Sequence, residues 1–150
     1  MKSEYSVAEL VPHSGTMSLL TNIVGYGDDW LSAEVHITPE SVFADDRGVP
    51  AWIGLEYMAQ TIAAYGGREE RRRGSTPKIG FLLGSRKYLC DADTFPLGQK
   101  LLIKVQVEML SEGGLNVFNC ELQGQGLSAS AMVNVFQPDD AEEFLENLSS

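Results

Sequence analysis

The chain has 150 residues, of which 43% are hydrophobic and 21% charged, and a formal net charge of −10. That length suits a single domain with a core of its own. The acidic balance argues against nucleic acid, since phosphate binding wants a basic surface. Two histidines and two cysteines, Cys90 and Cys120, give no metal-ligand cluster and no disulfide framework, so no metal is expected and the thiols read as reduced. No apolar run is long enough to span a bilayer, and MKSEYSVAEL lacks the apolar centre of a signal peptide. The expectation is a cytoplasmic protein without a membrane segment.

In chain order, residues 1–18 read as irregular, with Val11-Pro12-His13-Ser14-Gly15 rich in turn formers. Leu19–Tyr26 reads as a strand, Gly27-Asp28-Asp29 as a turn. The stretch Leu31–Ile37 alternates, with Leu31, Ala33, Val35 and Ile37 on one face and Ser32, Glu34 and His36 on the other. The loop PESVFADDRGV leads to Pro50, which suits a first helical turn because its missing N–H is not needed there. A helix is predicted from Pro50 to about Tyr65, stopped by Gly66-Gly67. It is apolar almost all round and so belongs in the interior. Strands follow at Ile79–Tyr88, Lys100–Met109, Leu115–Gln123 and Leu127–Phe136, with hairpin turns at Ser111-Glu112-Gly113-Gly114 and Gly124-Gln125-Gly126. The tail from Pro138 on is acidic. One apolar helix against one antiparallel sheet makes an α+β domain spanning 1–150, with its core at about 8–136 and a C-terminal tail at 138–150.

Glu56 is the one charged residue of PAWIGLEYMAQTIAAYGG. A carboxylate buried there without a partner is costly, so it either shifts its pKa upward or finds hydrogen bonds. Such a group suits proton transfer near neutrality; the plain alternative is a Glu tied to backbone or to a subunit interface. Gln60, one turn on, either orients Glu56 or pairs with backbone. Gly54 and Gly84 read as close-approach positions of helix and strand. Arg68, Arg71, Arg72, Arg73 and Lys78 crowd one segment of an acidic chain, either as a solvated loop or as a docking patch for an acidic partner. His36 reads as a strand-surface residue and Asp45 and Asp46 as solvated loop carboxylates, with a catalytic role for His36 or for one of the two aspartates as the alternative.

Three stretches carry a resemblance: Leu10-Val11-Pro12-His13 with Met17-Ser18-Leu19-Leu20; Leu55-Glu56-Tyr57-Met58-Ala59-Gln60; and Phe81-Leu82-Leu83-Gly84 with Lys87-Tyr88 and Pro96-Leu97-Gly98. Together they resemble the hotdog-fold β-hydroxyacyl-acyl-carrier-protein dehydratases, over roughly residues 8–136. That family carries its base in a Gly-His-Phe-Pro-Gly loop before the helix. Here the loop reads Phe43-Ala44-Asp45-Asp46-Arg47-Gly48-Val49-Pro50, with no histidine. In this the chain resembles the divergent branch tied to aryl polyene pathways.

The resemblance implies an antiparallel sheet wrapped around one long buried central helix. It implies dehydration of a 3-hydroxyacyl thioester carried on the phosphopantetheine of an acyl carrier protein, with no other cofactor. Glu56 would be catalytic, and His13 is the remaining candidate to stand in for the missing loop histidine. Ala51 and Trp52 would offer helix-N-terminal N–H groups to the thioester oxygen. Gln60 and Gly84 would line the substrate. Arg68, Arg71, Arg72 and Arg73 would meet the acidic carrier protein. The tunnel would form between two subunits, as a homodimer, a higher homo-oligomer or a pair with a homologous hotdog protein. Two other readings stay open: a hotdog thioesterase, and a non-catalytic hotdog subunit that binds acyl chains or partners a catalytic homologue.

Overall fold

The computed structural model describes residues 19–72, 81–110 and 115–136, without the side chains of residues 69–72, 81–87, 109–110 and 136. Eight strands and one long helix are present among them: β1 (Asn22–Tyr26), β2 (Trp30–His36), β3 (Gly48–Pro50), a 3₁₀ turn (Ala51–Ile53), α1 (Gly54–Arg72), β4 (Phe81–Cys90), β5 (Thr94–Pro96), β6 (Lys100–Leu110), β7 (Leu115–Gly124) and β8 (Leu127–Phe136). Six strands form one antiparallel sheet in the order β1-β2-β6-β7-β8-β4, and β3 pairs with β5 in a small second ladder.

The alternation of apolar residues along the sequence sets the register. Leu31 faces Val105, Ala33 faces Ile103 and Val35 faces Leu101 across β2 and β6, and all six side chains are buried. With Cys120 and Leu122 of β7 and Ala131 and Val133 of β8 they make one continuous apolar face. Helix α1 lies on that face, against β2, β6, β7 and β8, and buries Tyr57, Met58, Ile62, Ala64 and Tyr65 there. The hydroxyl of buried Thr61 donates to the Tyr57 carbonyl at 2.7 Å, which leaves the helix underside without an open polar group at that point.

Three expectations are corrected. The helix does not stop at Gly66-Gly67 but runs through both to Arg72. Its continuation carries good helix formers, and Arg68 ties the added turn down: its guanidinium donates to Gly27 O at 3.1 Å and lies 4.0 Å from the centre of the Tyr26 ring. Tyr65 joins the same anchor through Asp28 O at 3.0 Å. These contacts outweigh a cost of about 1 kcal/mol for each interior glycine. The first strand begins at Asn22 rather than Leu19. The β3–β5 ladder was not foreseen, because two three-residue strands, each ending in proline, show no periodicity. The turn at 111–114 and the acidic tail lie outside the described residues. No helix among the described residues is long and apolar enough to cross a membrane.

Candidate functional site

Pro50 opens the 3₁₀ turn with φ −54° and no side-chain cap. The N–H of Ala51 donates to Asp93 O at 2.9 Å, so this expected donor is already used. The Ala51 carbonyl accepts from the N–H of Gly54 and, at 2.6 Å, from the Tyr88 hydroxyl. Trp52 is the second residue of the turn, where no intrahelical acceptor exists for its N–H. It takes none outside the turn among the described residues. Of the two expected backbone donors, Trp52 is therefore the one left open.

Gly54 is a close-approach position, as its place in the sequence suggested. A Cβ there would collide with the Tyr88 hydroxyl and come within 3.0 Å of Phe95 Cζ. Its partner in that approach is Tyr88 of β4. Gly84 instead sits at a β-bulge, where the β4–β8 register shifts between Leu82 and Gly84.

Glu56 is the largest departure from the sequence reading. It is exposed. Buried positions on α1 alternate with a more open stripe, in which Trp52 and Glu56 are exposed and Leu55, Ala59, Gln60 and Ala63 half-buried, spaced three and four residues apart. The sheet covers one side of the helix only, so within this chain Glu56 faces outward. Trp52 is 65% exposed at the head of the stripe and meets the ring of Phe43, which is 56% exposed, with centroids 5.9 Å apart. Phe43 holds φ +68°, uncommon for a residue with a Cβ.

Gln60 does not orient Glu56. Its Oε1 accepts from the Leu19 N–H at 2.8 Å and pins the start of the described chain to the open side of the helix. Arg68 leaves the expected docking patch, being 9% exposed and committed to Gly27 and Tyr26. The side chains of Arg71 and Arg72, and Arg73 and His13 entirely, lie outside the described residues. Asp45 is a turn former: its Oδ1 accepts from the N–H groups of Arg47 at 2.8 Å and Gly48 at 3.1 Å. Those backbone bonds, Arg47 first, hold its carboxyl below the usual range. His36 lies 3.3 Å from Glu34 at the sheet surface. No group of His, Cys, Asp and Glu that could hold a metal occurs among the described residues.

Tyr88, Tyr57 and Cys120 are what sequence reasoning missed or passed over. Burial, then the neighbouring Cys90 thiol, pushes the Tyr88 phenol up from its ordinary 10.0. Burial alone pushes Tyr57 up to about 12 and the Cys120 thiol up to about 12. Tyr88 stands in the sequence as the last residue of the Lys87-Tyr88 pair, but nothing local to the sequence joins it to Gly54.

The ApeP-like dehydratase model matches residues 5–146. The chain belongs to the ApeP-like dehydratase family. Its structure is similar to that of the dehydratase heterocomplex ApeI:P from Xenorhabdus doucetiae, with TM-score 0.87 and 23% identity, covering 99% of this chain and 100% of that one. A hypothetical thioesterase with coenzyme A from Streptococcus pneumoniae shares the fold at TM-score 0.57 and 15% identity, over 77% of this chain and 84% of that one. The E. coli PaaI protein from the phenylacetic acid degradation operon does so at TM-score 0.58 and 11% identity, over 77% and 78%. No curated protein matches the chain in sequence. The expected α+β hotdog architecture, the family and the dehydratase assignment agree with these findings.

Proposed function

We propose that this ApeP-like chain dehydrates a 3-hydroxyacyl thioester, carried on the phosphopantetheine arm of an acyl carrier protein, to the trans-2-enoyl thioester. Glu56 transfers the proton, and no further cofactor takes part. The observation that carries this reading is a family match over the whole described region, together with Glu56 standing one helical turn beyond the Trp52 N–H, which has no acceptor among the described residues. In the reaction the C2–H bond gives its proton to the base, the C2–C3 double bond forms, and the C3 hydroxyl leaves with a proton as water. The thioester oxygen gains negative charge as C2 loses its proton, and the Trp52 N–H at the positive end of the helix is placed to take that charge.

One chain alone leaves Glu56 in water. Acid–base chemistry on an apolar thioester needs drier surroundings, so a second hotdog subunit covering the open stripe completes the site in this reading. The solved ApeI:P assembly, a heterocomplex, supports a homologous partner. His13 precedes Leu19, which Gln60 holds against the helix. The intervening chain spans at most about 20 Å even fully extended; His13 is proposed as the second proton-transfer group. Arg71, Arg72 and Arg73 are proposed to meet the acidic carrier protein.

The test is to incubate the chain, alone and with its homologous hotdog partner, with a 3-hydroxyacyl carrier protein and follow the intact acyl-carrier mass. Loss of water that disappears in Glu56→Gln is the expected result. A free carrier thiol would mean thioester hydrolysis instead, and water loss that persists in Glu56→Gln would remove Glu56 from the chemistry.

A further inference from the structure

The Ala51 carbonyl and the Trp52 N–H belong to one peptide unit. The described chain contains no cis peptide bond, so these two groups point in opposite directions from a rigid plane. Fixing the carbonyl fixes the direction of the N–H. The carbonyl is held by two donors, the Gly54 N–H and the Tyr88 hydroxyl at 2.6 Å. The preceding peptide is held as well, by Ala51 N–H to Asp93 O at 2.9 Å. Gly54 is the residue that lets the Tyr88 hydroxyl in, since a Cβ would occupy its place. Beside this arrangement lies Tyr57, 2% exposed, whose hydroxyl has no hydrogen-bond partner among the described residues.

We propose that Tyr88 is a positioning residue: it clamps the Ala51–Trp52 peptide so that the Trp52 N–H is aimed at the oxygen of the bound acyl thioester. The assignment rests on the dehydratase reading and names how its oxyanion contact is built. Tyr88 touches no reacting atom. It acts through the peptide plane, and its bond to the carbonyl also polarises the amide, which strengthens the N–H as a donor. Burial keeps the phenol protonated, so it serves as a donor throughout the working pH range.

The chain contains two tryptophans, Trp30 and Trp52, so backbone ¹⁵N-tryptophan labelling of the full chain, with its hotdog partner, gives two amide signals. Saturation with a 2-enoyl pantetheine thioester is expected to move the Trp52 amide proton downfield and leave Trp30 in place. In Tyr88→Phe that shift shrinks, and kcat falls by about tenfold to a hundredfold with KM little changed, as expected for a misaimed donor. Gly54→Ala, which crowds the hydroxyl off the carbonyl with Tyr88 still present, gives the same pattern and serves where the Phe variant fails to fold. A Trp52 amide that stays put in a saturated complex overturns the inference and leaves the dehydratase reading standing. So does an unchanged shift and kcat in Tyr88→Phe. Failure of the thioester to bind at all, with or without the partner, sinks both.

Discussion

Glu56 and Tyr57 are neighbours in sequence and opposites in surroundings. Tyr57 is 2% exposed and its phenol is pushed up to about 12 by burial, while Glu56 stands on the open stripe. A turn of about 100° per residue on a helix seated on a sheet suffices for that difference. Composition marked the helix as apolar on every side; it could not say which side the chain's own sheet would leave uncovered. The sequence therefore exposed Glu56 as the odd residue out but placed it indoors, and it gave no sign that Ala51 N–H would be taken by Asp93 or Gln60 by Leu19. Those partners lie far along the chain, and only the sheet topology brings them near. Asp45 offers a clean contrast. Its carboxylate is held low by the backbone N–H groups of Arg47 and Gly48, which makes it a weak base. Asp45→Asn is expected to leave dehydration within about twofold of wild type, since no proton passes through it. The bond it makes is present above the ordinary carboxyl value of 3.8 and is lost as pH falls through the lowered one, so a comparison of acid-limb melting curves reports the turn and not the chemistry.

At the scale of elements, strong alternation was legible. β8 falls where Leu127–Phe136 was expected, and β2, β6 and β7 lie within a residue or two of the expected limits. What alternation could not reach was the short ladder that closes the helix entrance. Gly48 of β3 holds φ +145°, and a Cβ there would strike the Phe95 carbonyl of β5. Gly48→Ala is expected to destabilise the fold by about 1–3 kcal/mol through strain and overlap together. Urea titration measures it directly; a midpoint equal to wild type would mean that the ladder adapts freely. Because Ala51 follows this ladder directly, and its N–H is held by Asp93 just before β5, the same substitution should loosen the turn that carries Trp52. The helix end was misread for a related reason. Gly66-Gly67 carries a local stop signal, and the cation over the Tyr26 ring, a contact made across the fold, overrides it.

For the molecule as a whole, two buried groups tie stability to alkaline pH. The Cys120 thiol is raised from 9.0 to about 12 by burial. In the unfolded chain it loses its proton near 9.0, while the folded chain keeps it. Its contribution to stability is thus full below about pH 9 and is lost as pH climbs toward about 12. Tyr57 adds to the same slope from 10.0 upward. Chemical denaturation at pH 8 and at pH 11 should show wild type losing more stability across that interval than Cys120→Ala does. Equal losses would mean that the thiol is not held neutral by the fold.

The order of the large sheet places β4 at one margin, paired with β8 and with no second neighbour among the described residues. It is 10 residues long. Such a margin presents a row of amide and carbonyl groups ready to accept another strand. A chain built this way ties its own solubility to supply: copies synthesised in excess of whatever covers β4 would recruit one another, strand upon strand. The yield of well-behaved protein should then follow the ratio in which the chain and its cover are made, more closely than it follows the melting temperature of the chain by itself.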